Sequence, residues 1–549
     1  MEIFSAEQIR AWDEYTMQHE PIASIDLMER AASHCLTWLE TNGYLDRSFS
    51  IYCGKGNNGG DGLALARMLA AQDCPVSVHI LEFGHLGTDD FQANLERLHA
   101  SGVEVRFVQA VEHFYPIPPG DVLIDALLGS GLNRKLEGIT AQLVEHMNQS
   151  GNEVIAIDIP SGLFVDHSSK GNTAIRAGHT LSFQCYKPAF LVPENEPLTG
   201  EVHILDIGLH PGYLREVTGE WEWVDEELIH SIYKPRQSFA NKGTYGHALL
   251  VAGSYGKMGA AVLSARSCLR AGAGLLTCHV PGCGYQILQT TVPEAMIKTD
   301  ANEKINTALP ERPDGPSPSP GAVAASTPGK SPVPGASSSG GTLPPAGSSP
   351  SSADELNKYS VIGIGPGIGQ EAPTAALLKD LFQRYRKPVV LDADGLNILS
   401  KDPALFSLLP PYSILTPHPK EFERLFGTAT DDFARLAMAV TQARAHQCII
   451  VLKGHYTFIA MPGGKGYFNS TGNPGMAKGG SGDVLTGILT AMLSQGYSPG
   501  EATLLGVYLH GLAGDLAADT WSEESMLPSD LTDHLGAAFR SIHSSSLSS

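Results

Sequence analysis

Nowhere in this 549-residue chain does an apolar run approach the roughly 20 residues that a bilayer-crossing helix needs, so no membrane association is expected. The opening residues, MEIFSAEQIRAW, have neither the basic segment nor the apolar stretch of a secretory leader, and a cytoplasmic location is expected. Positive charge is also scarce. There are 37 Lys and Arg against 58 Asp and Glu, a net charge of -21, and no basic clusters of the kind that neutralise a phosphate backbone, which excludes nucleic acid as a partner. CxxC pairs and His/Cys groups at zinc spacing are missing too. The eight cysteines (Cys35, Cys53, Cys74, Cys185, Cys268, Cys278, Cys283 and Cys448) lie scattered, mostly in apolar stretches, and read as reduced core residues.

The length is too great for one ordinary core and suggests two to four domains. Ser5 followed by Gln8 is a capping-box signal for a helix that carries Ile9, Trp12 and Met17 on one face. A second helix runs from Ser24 through Leu27, Met28, Ala31, Cys35 and Leu39. Strand-like runs FSIYC, VSVHIL, VEVRFV, DVLIDAL and EVIAIDI then alternate with helical ones, and the same style returns later with HALLVAGS, LLTCHV, SVIGIG, PVVLDAD, SILTPH and IIVLKG. Such alternation predicts α/β folds with parallel sheets and ligand sites beyond the carboxyl ends of the strands. The periodicity lapses over about 209–240, the expected domain junction. A stretch rich in Pro, Gly, Ala and Ser, about 305–353, is expected to be a disordered insertion within the second domain, because both of its flanks look like parts of one sheet.

FSIYC leads straight into Gly54-Lys55-Gly56-Asn57-Asn58-Gly59-Gly60-Asp61-Gly62 and a helix. This contains GxGxxG, but paired asparagines at the turn and a carboxylate where a pyrophosphate would lie suit a polar ligand or a hard cation better. DVLIDALLGSGLNRK sets Asp125 at another strand tip, followed by Gly129, Ser130, Gly131, Leu132, Asn133, Arg134 and Lys135, and EVIAIDIPSGL sets Asp158 and Ser161 at a third. If these strands are neighbours, Asn58, Asp125 and Ser161 surround one oxygen-liganded cation, and Asp125 with Asp158 form an acid–base pair.

NPGMAKGGSGDVLTG, Asn473 to Gly487, places Asp483 at the mouth of a helix after a turn of glycines and small residues. Backbone N–H groups of Gly479 to Gly482, together with the helix N-terminus, favour an anion there, so an acceptor-only aspartate beside them reads as phosphoryl-transfer machinery. Other strand ends offer the turn through Met258-Gly259-Ala260-Ala261, Gly367 in VIGIGPGIG, Asp392 and Asp394 in DADGLN, His418 and Glu421 in TPHPKEFERL, and Lys453, Gly454, His455, Tyr456 and Thr457 after IIVL.

NNGGDG, IDALLGSG and DIPSG in this strand order resemble the epimerase domain of bifunctional NAD(P)H-hydrate repair enzymes. NPGMAKGGSGDVLTG, TPHPKEFERL, DADGLN, GPGIG and VYLHGLAGD, in that set, resemble the ADP-dependent dehydratase domain of the same family. The resemblance implies a Rossmann-like three-layer αβα domain over 1–215, a linker over 216–232 and a ribokinase-like α/β domain over 233–549. Asn57, Asn58, Gly59, Gly60, Asp61, the segment Gly129 to Lys135 and Asp158 would then hold the hydrated dinucleotides NADHX and NADPHX, with potassium on Asn58, Asp125 and Ser161. Ala260, Gly367, His418 and Asp483 would contact the S hydrate, and Lys453, Gly454, His455, Tyr456, Thr457 and Gly482 the ADP, with Mg2+ expected. A homo-oligomer, a tetramer, is also expected. The alternative is a ribokinase-like small-molecule hydroxyl kinase carrying an N-terminal nucleotide-binding regulatory module.

Overall fold

The structure is a computed structural model that describes residues 1–310 and 353–545. Residues 311–352 of the expected insertion lie outside the described residues. Residues 305–310, also assigned to it, are built into the fold: Asn306 is wholly buried and donates to the carbonyl of Gly253 (3.0 Å), while the Asp300 carboxylate accepts from the N–H of Ala308 (3.0 Å). Asn306 and Thr307 direct their polar groups to Gly253, Asp300 and Thr374, partners within the folded unit.

Two compact units make up the chain, one of residues Met1–Pro235, Ile414–Lys478 and Gly500–Ser549, the other of Arg236–Ser413 and Gly479–Pro499. The first holds a seven-stranded parallel sheet in the order Glu104–Val108, Val76–Leu81, Phe49–Cys53, Val122–Ala126, Val154–Ile157, His179–Phe183, Glu201–Leu205. Alternate residues of its buried strands serve two cores. Ile51 and Ile124 pack with Cys35, Leu65 and Leu98 from helices on one face. Tyr52 and Leu123 pack with Leu143, Val144 and Met147 from the helix Gly138–Gln149 on the other. This is the expected three-layer αβα arrangement, and its strand order reverses between Phe49–Cys53 and Val122–Ala126. A crevice for a ligand opens at such a reversal, because the crossover helices leave in opposite directions.

The first helix, Ala6–His19, starts at the Ser5 capping box as expected: the Gln8 N–H donates to Ser5 Oγ (3.3 Å) and the Ser5 N–H to Gln8 Oε1 (3.0 Å). Residues 216–232, expected as a linker, carry the strand Trp221–Val224 and the helix Glu226–Ile232. That strand pairs antiparallel with Glu2–Ile3 and parallel with Gly466–Asn469. Its sequence WEWV alternates, and Trp221 packs edge-on against Phe458 and Phe468. The aromatic burial of two tryptophans outweighs the surrounding polar sequence that made the region read as loop. Also in this unit, Glu194 and Asp432 exchange backbone N–H to carboxylate bonds (2.8 and 2.9 Å).

The second unit has a parallel sheet in the order Val389–Leu391, Val361–Ile364, His247–Val251, Leu275–Val280, Met296–Thr299. The helix Ser481–Ser494 packs on the helix Met258–Arg270 at Gly487, where a Cβ would stand 2.0 Å from Ser267 Oγ. The α/β class expected of both halves is the one found. All eight cysteines are free and all but Cys283, which is half-buried, lie in the interior. Among the described residues, no helix is long and apolar enough to cross a membrane.

Candidate functional site

A cavity of about 640 Å³ opens at the strand-order reversal of the first unit. The chain leaves Phe49–Cys53 through Gly54, whose N–H bonds to the Ala126 carbonyl (3.0 Å), and turns at once into the helix Asn57–Ala71. The turn is tight enough to require glycine: a Cβ on Gly59 would sit 1.8 Å from the Gly54 carbonyl oxygen. This presents Asn57, Asn58 and Asp61 to the cavity, while Gly59 and Gly60 lie buried behind the lining. The neighbouring strand delivers Gly129, Ser130, Gly131, Leu132, Asn133 and Arg134 to the same wall; Lys135 is exposed and outside it.

Asp125 and Asp158, read together as an acid–base pair, occupy different environments. Asp125 is wholly buried and is not part of the cavity wall. Its carboxylate accepts from the Ser161 N–H (2.7 Å), the Ser161 hydroxyl (2.6 Å) and the Leu127 N–H (3.2 Å). Burial pushes its pKa up to about 6, although the Ser161 and Leu127 hydrogen bonds work against that. The Asn58 amide is buried, and neither its oxygen nor its nitrogen has a hydrogen-bond partner. A Cβ on Gly129 would lie 3.1 Å from Asn58 Cβ and 3.5 Å from the Asp158 carboxylate, so these three residues are neighbours.

Asp158 does line the cavity, and its backbone adopts φ +68°, a left-handed conformation that strains a non-glycine residue. Its carboxylate accepts from the Ser130 N–H (3.3 Å) and pairs at 2.8 Å with the ammonium of the wholly buried Lys187, which also donates to Ser182 Oγ (2.5 Å). Two more carboxyls surround this pair. Burial, then Asp158, holds the Asp61 carboxyl well above the ordinary carboxylate range. Asp13, on the first helix, is pushed up to about 7 by burial and by Asp158, with Lys187 opposing. The cavity therefore contains a carboxyl poised to give or take a proton near neutrality.

In the second unit, Ala260 and Gly367 come together. The Gly253 N–H bonds to the Pro366 carbonyl (2.8 Å) and the Ser254 hydroxyl to the Gly367 carbonyl (2.6 Å). Gly367 has φ +64°, and a Cβ there would stand 3.3 Å from Ala260 Cβ. Asp394 accepts from the Gly369 N–H (2.9 Å), the Gln370 amide (2.9 Å) and Lys257 (3.2 Å); burial tends to raise its pKa, but these partners bring it below the ordinary value. Gly480, at φ +110°, ends the glycine turn, and Asp483 stands half-buried in the first turn of the helix Ser481–Ser494, beside Gly482. Ser264 fixes that turn by donating to the Asp483 carbonyl (2.9 Å), and Thr486 by donating to the buried Asp392 carboxylate (2.9 Å). The Asp483 carboxylate thus shares one helix mouth with the N-terminal backbone amides, where the helix dipole favours an anion.

His418 and the segment Lys453 to Thr457 belong to the first unit, where the Lys453 N–H bonds to the Pro417 carbonyl (3.0 Å). His418 caps the helix Pro419–Phe426, its Nδ1 accepting from the Lys420 N–H (3.1 Å), while Glu421 accepts in return from the His418 N–H (3.0 Å). Thr457 closes a tight turn by donating to the Gly454 carbonyl (3.0 Å), and Tyr456 meets Trp223 edge-on.

A family model described as NAD(P)H-hydrate dehydratase matches residues 248–312 and 325–536, and one for the YjeF-related protein N-terminus matches 24–189. The bifunctional NAD(P)H-hydrate repair enzyme Nnr of Moorella thermoacetica is 34% identical over 551 residues, covering 99% of this chain and 97% of that one. The chain belongs to the bifunctional NAD(P)H-hydrate repair enzyme family. Its relative of the same name from Thermofilum pendens is 32% identical over 99% of this chain and 97% of its own. The structure of an ADP/ATP-dependent NAD(P)H-hydrate dehydratase from Bacillus subtilis, co-crystallised with ATP and Mg2+, aligns with 59% of this chain and 99% of its own at 28% identity and a TM-score of 0.45.

For this member of the repair-enzyme family, motif reading missed Asp13, Arg10 and Lys187. Arg10, Asp13 and Met17 recur at helical spacing on a face that looks toward the cavity, and the same periodicity had placed Met17 with the core. Lys187 carried a readable signal: one lysine inside the otherwise apolar run CYKPAFLVP.

Proposed function

We infer that this chain repairs hydrated NADH and NADPH: one activity interconverts the R and S hydrates, and a second dehydrates the S form at the expense of ADP, giving AMP and phosphate. The observation that carries the reading is the cavity at the strand-order reversal, where Asp13, Asp61 and Asp158 line the wall next to buried Lys187. Inverting the carbon that bears the hydroxyl requires its C–O bond to break, with a proton delivered to the departing oxygen, and to reform on the other face as the adding water gives up a proton. Asp158, paired at 2.8 Å with Lys187, is suited to accept the proton, and Asp13, with its raised pKa, to deliver one. Asp125 supports the site from behind.

The residues assigned to potassium fit it. The Asn58 amide is buried without a partner, Asp125 brings charge and Ser161 a hydroxyl, all hard oxygen donors. Bound there, potassium supplies fixed positive charge beside the cavity.

For dehydration, hydroxide is a poor leaving group and phosphate a good one. Asp483 accepts the proton of the substrate hydroxyl as its oxygen attacks the terminal phosphorus of ADP, and N–H groups of Gly479 to Gly482 take up the charge on the phosphoryl oxygens. AMP departs, the ring nitrogen assists loss of phosphate, the neighbouring ring carbon gives up a proton, and the double bond of the reduced nicotinamide reforms. Ala260, Gly367 and His418 are assigned to the hydrate, and Lys453 to Thr457 with Gly482 to ADP, which enters as its Mg2+ complex.

An assay of mixed R and S hydrates with Mg2+·ADP, followed at the reduced-nicotinamide absorbance band, is expected to recover both epimers completely. Recovery of one epimer alone would refute the epimerase activity; none with ADP or ATP would refute the dehydratase.

A further inference from the structure

The amino ends of the last two strands of the seven-stranded sheet, opposite the carboxyl ends that form the cavity, hold a second chemically dense cluster. His179 opens one strand and Glu201 opens the edge strand beside it; the register pairs His179 with Glu201 and Leu181 with His203. Glu201 and His203, two residues apart, share a face. The His179 Nδ1 lies 3.1 Å from His203 Nε2 and 3.7 Å from Glu201 Oε2, and His203 Nε2 lies 3.9 Å from the same oxygen. Bonds of about 2.0–2.1 Å to a tetrahedral zinc ion put ligand atoms roughly 3.3 Å apart, so the three atoms already stand near the corners of such a site.

The surroundings strengthen the match. The other nitrogen of His179, Nε2, is 3.7 Å from Glu153 Oε1, and that carboxylate is itself held by the Tyr44 hydroxyl (2.7 Å). A carboxylate behind a metal-bound imidazole fixes the ring's tautomer and orientation and raises its basicity. Trp38 packs beside both imidazoles, with ring centroids at 5.2 and 4.7 Å, and limits their rotation. The imidazoles are about one-fifth exposed, whereas Glu201 is 70% exposed, which leaves one open side.

We propose that His179, His203 and Glu201 bind one first-row divalent metal ion, zinc by preference, with water in the fourth position. Two imidazoles and one carboxylate are the donor set such an ion selects, and one that magnesium or calcium does not. The ion ties the edge strand Glu201–Leu205 to its neighbour and stabilises the fold by mass action, in step with free metal concentration.

The test uses the full chain, stripped with a chelator and titrated with Co2+, then with competing Zn2+. One equivalent of Co2+ giving the intense visible bands of a tetrahedral ion, displaced by one equivalent of Zn2+, is the expected result. His179→Gln and His203→Gln should each abolish those bands, and Glu153→Gln should weaken binding by about ten- to a hundredfold at unchanged stoichiometry. Circular dichroism of the stripped variants checks their folding. Only the weak bands of octahedral Co2+ in the wild-type chain, or tetrahedral bands that persist in folded His203→Gln, would overturn the proposal.

Discussion

The ammonium of Lys187, wholly buried, stands 2.8 Å from the Asp158 carboxylate, and Asp158 reaches it from a left-handed backbone conformation. A lysine without solvent is retained at such a place only with a partner, and a strained aspartate only if the surroundings over-determine it. Removing the ammonium leaves three carboxyls, Asp13, Asp61 and Asp158, facing one another with no buried cation beside them. Lys187→Met is therefore expected to slow R/S interconversion by about a hundredfold or more, within the range of losing a general base. Dehydration of the purified S hydrate should continue at the wild-type rate. An unchanged epimerisation rate in this variant would remove Lys187 and Asp158 from the reaction.

Asp13 sets a pH dependence. Its folded-state pKa, about 7, lies above the ordinary 3.8, so the folded chain holds this proton more tightly than the unfolded chain does. Stability from this group is greatest in acid, falls as pH rises from about 4 to about 7, and is level above that. The full difference is at most about 4 kcal/mol, from 1.36 kcal/mol for each tenfold change in proton affinity. Asp13→Asn should gain in urea midpoint over the wild type at pH 8 relative to pH 5, and its epimerisation should lose the limb near pH 7. Parallel pH profiles for the two proteins would count against the assignment.

Asp483→Asn keeps the shape of the helix entry and removes the proton acceptor. Dehydration with ADP is expected to fall by about 100- to 10,000-fold, with R/S interconversion intact. Substantial dehydration in this variant would mean that another group takes the hydroxyl proton.

Asn58 carries an amide whose two polar atoms are buried and unpartnered, at a cost on the order of 1–3 kcal/mol for each such group. A potassium ion held as proposed would satisfy the amide oxygen. The wild-type chain is expected to rise in thermal midpoint when potassium replaces a large organic cation, whereas Asn58→Leu should be indifferent to the exchange. Identical responses of the two proteins, measured by calorimetry, would disconnect Asn58 from the ion.

Much of the site was legible in the chain because its signals are local. A buried strand followed at once by glycines and a helix start, as in FSIYCGKGNNGGDG, places polar side chains at a strand end whatever the rest of the fold does. The same held for the capping box at Ser5 and for the turn that leads to Asp483. Ala260 and Gly367, more than 100 residues apart, were assigned to one ligand by resemblance; only the fold shows that a Cβ on Gly367 would stand 3.3 Å from Ala260 Cβ. Within 216–232, Trp221–Val224 becomes a strand through pairing with Gly466–Asn469, a contact no local window contains.

By itself the sequence determined the α/β class, the strand ends that carry chemistry and the aspartates stationed there, because periodicity, glycine turns and helix caps are properties of short segments. Tertiary structure alone decided which of those aspartates meets the cavity. Asp125 and Asp158 are equivalent in the sequence, each at the tip of a buried strand, yet one is sealed among Ser161 and Leu127 and the other faces the cavity against Lys187. Burial and charge neighbours depend on segments distant in the chain, and they set both a carboxyl's proton affinity and its access to a ligand.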